Sequence, residues 1–125
     1  MSRIALTLAL AVSALALAAC EKTVQAPLDR GICYHMGVLP DGTYRFNVVA
    51  RDIDSIEKCA AQLEGVRLRF LRMGGRNAEM SGAYQGAFIH LKRAGIYRSQ
   101  RWGGNEYIML VRTGDGRLVI PGAVQ

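Results

Sequence analysis

The chain has 125 residues and a net charge of +6, from 16 Lys and Arg against 10 Asp and Glu. That length reads as one domain large enough for a single core, and the basic balance points to anionic partners. The sequence holds no G-x-x-x-x-G-K-[ST], G-x-S-x-G, H-E-x-x-H or C-x-x-C-H, so four motif-defined catalytic and haem-binding classes are excluded at the outset.

In chain order, Met1-Ser2-Arg3 gives a short basic start, and Ile4 to Ala19 contains only Ile, Ala, Leu, Thr, Val and Ser. A charged start, an apolar middle and small residues at the exit make the plan of a secretory signal peptide. A spanning helix needs about 20 apolar residues, and this run is shorter. Its exit, Leu17-Ala18-Ala19-Cys20, resembles the lipobox of bacterial lipoproteins at all four positions. The resemblance implies cleavage before Cys20, a diacylglycerol on its thiol and an acylated amine. Several acyl chains make a firm anchor, at about 0.8 kcal/mol per buried methylene. By resemblance to enterobacterial lipoproteins, Asp after the cysteine retains a protein in the inner membrane. Glu21 stands there instead, so the outer membrane is expected, with the domain facing the periplasm. Nucleic acid is not an expected partner behind an export signal.

Removing residues 1–19 removes one base, Arg3, and no acid, leaving a charge of +5. Residues 20–30 read as a lipidated tether, polar with a single Pro, and residues 31–125 as one periplasmic domain. Two cysteines remain, Cys33 and Cys59. An oxidising compartment favours a disulfide between them. Their spacing is not C-x-x-C, so a thioredoxin-like redox role lacks support.

Ile32 to Leu39 is expected as a short strand, ended by the turn residues Pro40-Asp41-Gly42. Thr43 to Ala50 follows as a second strand, with Tyr44, Phe46 and Val48 alternating with Arg45 and Asn47. A helix then starts at Asp54, with Glu57 completing a capping-box-like pair. Ile56, Cys59, Ala60 and Leu63 recur at helical spacing and should face the core, and Gly65 should end the helix. Cys59 on that buried face would point towards the strand carrying Cys33.

"VRLRFLRM", residues 66–73, alternates Val66, Leu68 and Phe70 with Arg67 and Arg69, which predicts a strand with one wet face. "AYQGAFIHLKRAGIYRSQRW" predicts two strands around a turn at Arg93-Ala94-Gly95, since Gly82 and Gly86 count against a helix. "EYIMLVRTGDGRLVIP" predicts a hairpin with its turn at Thr113 to Gly116. The sum is an α+β domain, one helix packed on an antiparallel sheet of about five to six strands. The other sheet face, bearing many Arg, should be wet or should meet a partner.

"TYRFNVVARDIDSIEKCAAQLEGVRLRFL" resembles the strand–helix–strand first half of the SPOR domain, a peptidoglycan-binding module. The half from Gly82 departs from that pattern, showing hairpins where that fold wants a strand and a second helix, so no binding site is carried over.

For chemistry, Cys33, His35, Cys59 and His90 together offer a donor set that zinc accepts. The C-x-H spacing and the oxidising compartment count against it, and no metal or cofactor is implied. His90 is expected as a sheet residue whose neighbours have opposite exposure. Asp52, Asp54 and Glu57 crowd the helix start, where the helix dipole favours acids. Between Arg67 and Arg101 eight basic residues face one acid, Glu79. "IYRSQRWGGNEY" adds Tyr97, the only Trp, Trp102, and Tyr107 around a Gly-Gly-Asn turn. Trp, Tyr and Arg carry binding energy at interfaces. Arg67, Arg69, Arg72, Arg98, Arg101, Trp102 and Tyr107 are therefore the candidate partner-binding residues. The expected function is a non-enzymatic envelope lipoprotein that binds another envelope protein, or else an anionic polymer such as peptidoglycan or lipid headgroups.

Overall fold

A computed structural model describes residues 23–76 and 79–122. Residues 1–19, expected as a signal peptide, and Cys20, the expected lipidation site, lie outside the described residues. Among the described residues, seven strands and one helix run in the order β1 (Cys33–Val38), β2 (Tyr44–Ala50), α1 (Ile56–Arg72), β3 (Met80–Tyr84), β4 (Ala87–Lys92), β5 (Gly95–Ser99), β6 (Tyr107–Arg112) and β7 (Leu118–Val119). The strands form one sheet in the order β2-β1-β3-β4-β5-β6-β7, and every pairing is antiparallel. One helix packed on an antiparallel sheet is the expected class, with one strand more than the upper bound.

The two hairpins from Ala87 to Ser99 and from Tyr107 to Val119 form where turn residues and alternation place them. The additional strand is β3. Its hairpin to β4 turns at Gln85-Gly86, both with positive φ (43° and 87°). Glycine suits that geometry, and the Gly86 amide donates to the Pro27 carbonyl at 2.9 Å. Gly82, read as a helix breaker, has a second role in β3. A Cβ there would lie 2.4 Å from the Tyr34 carbonyl oxygen and 2.5 Å from Leu63 Cδ1, so the missing side chain lets α1 approach the sheet.

The helix differs from expectation at both ends. Its N-cap is Ser55, whose Oγ accepts from the Lys58 amide at 3.2 Å. Asp54 instead pairs with the Lys58 ammonium at 2.9 Å in solvent. Gly65 does not end the helix, and residues 66–72 are its last two turns rather than a strand. The buried positions Cys59, Ala60, Leu63, Glu64 and Arg67 keep a helical period straight through Gly65. A glycine there costs about 1 kcal/mol relative to Ala, which tertiary packing of that face outweighs. The helix ends at Met73, whose amide still reaches the Arg69 and Phe70 carbonyls, before Gly74 with φ +93°.

On the helix side of the sheet, Leu63, Cys59 and Ala60 pack with Cys33, Tyr84, Ile89, Leu91, Ile96 and Leu110. Cys33 and Cys59 form the expected disulfide, with Cα atoms 5.2 Å apart. The opposite sheet face is not the Arg-rich surface expected. It carries Met36, Ala83 and Phe88, covered by Val24, Ala26, Tyr34, Tyr44, Phe46 and Trp102. The central strand β4 is therefore buried on both faces, and His90 sits between two buried neighbours, Ile89 and Leu91, contrary to the expected contrast in exposure. Among the described residues no helix is long and apolar enough to cross a membrane.

Candidate functional site: two surfaces on opposite sides of the sheet

The basic stretch from Arg67 to Arg101 does not make one surface. Arg67, Arg69 and Arg72 lie on α1, whereas Arg98 lies on β5 and Arg101 in the loop after it. Arg67 is only 7% exposed. Its Nε and a second guanidinium nitrogen donate to both oxygens of Glu64, each at 2.8 Å. Arg112 of β6 donates to the same two oxygens at 2.8 and 3.0 Å, and also to the Lys92 carbonyl at 2.7 Å. Burial pushes the Glu64 carboxyl up, but the hydrogen bonds and charges of Arg67 and Arg112 outweigh it and take its pKa from 4.5 to about 2. The Arg67 pKa is correspondingly raised by its hydrogen bond to Glu64. Glu64 thus ties the helix to the sheet through Arg112, and Arg67 holds that carboxylate from within the helix. The Glu64–Arg67 spacing of three residues on the face of Ala60 was its only trace in the sequence; Arg112, 48 residues away, left none.

Beyond this tie the helix keeps Leu68 and Leu71 half-buried but exposes its other side. Phe70 is 46% and Met73 82% exposed, and Arg69, Arg72 and Arg76 beside them are exposed as well. The Phe70 ring folds onto Gly75, where a Cβ would lie 2.1 Å from its Cε1. The Gly75 amide donates to the Phe70 carbonyl at 3.0 Å. The Gly74-Gly75 turn therefore packs under a half-exposed aromatic ring, with exposed Arg69, Arg72 and Arg76 near it in sequence.

The second surface is built around Trp102 on the other side of the sheet. Its ring lies 5.2 Å from that of Tyr44, 5.4 Å from Phe88 and 5.5 Å from His90. Two clefts flank it. One, about 410 Å³, is lined in part by Met36, Tyr44, Ser81, His90 and Lys92. The other, about 740 Å³, lies between residues 23–26 and the loop Gln100 to Gly104. Tyr107, 62% exposed, borders a shallow recess with Gln100, Arg101 and Gly104. Trp102 thus closes the core of this face, with Arg101 exposed at its margin, whereas Tyr107 pairs in register with Arg98, which lines a recess with Ile56 and Glu57 of the helix. Lys92 pairs with Glu106 at 2.6 Å and lies over the Tyr97 ring.

His90 bridges three strands. Its Nε2 lies 2.7 Å from Ser99 Oγ and its Nδ1 3.4 Å from Ser81 Oγ. Burial lowers its pKa, Lys92 acting in the same direction and Glu106 against it. Ser99 is 2% exposed and cannot meet a substrate as a nucleophile. The Cys33–His35–Cys59–His90 set does not gather either. The two thiols are bridged, and His90 points to the face opposite them. Among the described residues no group of three His, Cys, Asp or Glu could hold a metal ion. No family model, no curated protein and no solved structure matches the chain.

Proposed function

We propose that the chain is a non-enzymatic envelope lipoprotein, lipidated at Cys20 and held on the periplasmic face of the outer membrane. Its domain docks on another envelope protein as an accessory factor. The observation that carries this reading is the free end of α1, where Phe70 and Met73 stand exposed among Arg69, Arg72 and Arg76. An aromatic anchor within a basic rim suits an acidic protein segment with an apolar residue to insert. The contact lies on the far side of the sheet from residues 23–26, so a chain tethered through Cys20 presents it away from its anchor. Trp102 and Arg67, both engaged inside the domain, are left out of this contact.

The test is binding of the lipoprotein to its envelope partner, captured by crosslinking and then purified. Both R69E/R72E and F70A should weaken binding at least tenfold. If R69E/R72E abolishes binding while F70A has no effect, and the ligand is peptidoglycan or anionic vesicles, the domain is instead a binder of anionic polymers. That binding would fall steeply with salt, because exposed charges are screened within about 8 Å at physiological ionic strength.

A further inference from the structure

Residues 23–26 do not hang free of the domain. Ala26 is buried and Val24 packs with it on the aromatic cluster around Phe88 and Trp102. The Pro27 carbonyl is held by the Gly86 amide. Thr23 therefore lies on the sheet face opposite α1, across a cleft from Gln100, Arg101, Gly103 and Gly104. Cys20 is three residues earlier, a span of at most about 11 Å at full extension. A lipid on Cys20 cannot then lie far from this face.

We infer that the loop from Gln100 to Gly104 rests on the phospholipid headgroup layer of the membrane that holds the Cys20 lipid. This inference rests on the lipidation reading. The short connection fixes which side of the domain meets the bilayer, and the residues there fit that contact. Arg101 is exposed beside the half-buried Trp102, and amphipathic aromatic rings and arginines favour the headgroup level. Gly103 and Gly104 carry no side chain to hold the backbone away from the surface. The sheet then lies between the membrane and α1, which leaves the Phe70–Met73 end for a partner in the periplasm.

Trp102 is the only tryptophan and so reports this contact without substitution. The full lipoprotein, purified from its envelope and weighed by mass spectrometry, is placed in phosphatidylethanolamine–phosphatidylglycerol vesicles containing a headgroup spin-labelled lipid. Trp102 emission should fall at least twofold against label-free vesicles. In W102F/M73W, a probe on the far side should fall by less than a fifth. If that variant does not fold, M73W alone serves, and the emission it adds should resist the label. An acylated protein whose Trp102 is unquenched, or whose two probes are quenched equally, overturns the inference and leaves lipidation standing. A protein without acyl mass overturns both.

Discussion

Replacing Glu64 by Gln removes one charge and leaves two buried or half-buried guanidiniums without a counter-ion. The carboxylate is held at a pKa of about 2 against 4.5, which corresponds to about 3 kcal/mol of folding free energy at neutral pH. Removing one partner of a buried ion pair costs about 3–5 kcal/mol in other proteins, so two routes give the same size. Arg112 keeps its bond to the Lys92 carbonyl, which places the expected loss at the lower end. The sign with pH follows from the lowered pKa. The contribution is fully present above pH 4.5, where the unfolded carboxyl is ionised, and is lost as pH falls from there to about 2. Urea unfolding of residues 23–125 with the disulfide intact should show E64Q about 3 kcal/mol less stable at pH 7. The difference should shrink towards zero near pH 2. A loss under about 1 kcal/mol at pH 7, or a difference that does not shrink in acid, would refute the assignment of Glu64 as the tie between helix and sheet.

Three further outcomes test the fold. Residues 23–125 should show no titratable thiol, and C33A/C59A should lose about 3–4 kcal/mol in urea, the value for a loop closed over 26 positions in the chain-entropy treatment; two free thiols would contradict the bridge. Ser55→Ala should cost about 1 kcal/mol as loss of an N-cap. Asp54→Ala should cost clearly less, because its pair with Lys58 is exposed; the reverse order would return the cap to Asp54. Gly82→Ala should destabilise by about 2–3 kcal/mol, because its methyl meets the Tyr34 carbonyl and Leu63; a neutral substitution would mean that α1 does not sit so close to β3.

The strands and turns were legible because alternation and turn chemistry are local. Tyr44 and Phe46 against Arg45 and Asn47, the Arg93-Ala94-Gly95 turn and the Thr113–Gly116 turn each carry their own signal. The stretch from Val66 to Met73 was misread for a physical reason. Arg67 was counted on the wet side of a period of two, whereas it is buried against Glu64, and with that one residue moved inside the period becomes helical. The helix-facing half of the core was foreseen from Cys59, Ala60 and Leu63. The aromatic half was not, because Trp102, Val24 and Phe88 meet only through the folding of separate loops onto β4. The same is true of the candidate surfaces. The residues Arg69, Arg72, Arg101, Trp102 and Tyr107 were named from composition, but their division between two sides of the sheet is a property of topology.

Photocrosslinking in the intact envelope tests both surfaces together, with the reactive residue placed at Met73 in one strain and at Arg101 in another. Position 73 should give a discrete protein adduct that disappears in R69E/R72E, and position 101 should give lipid adducts without a discrete protein. A discrete protein partner at position 101 alone, or an adduct at 73 indifferent to the charge reversal, would contradict the proposed docking.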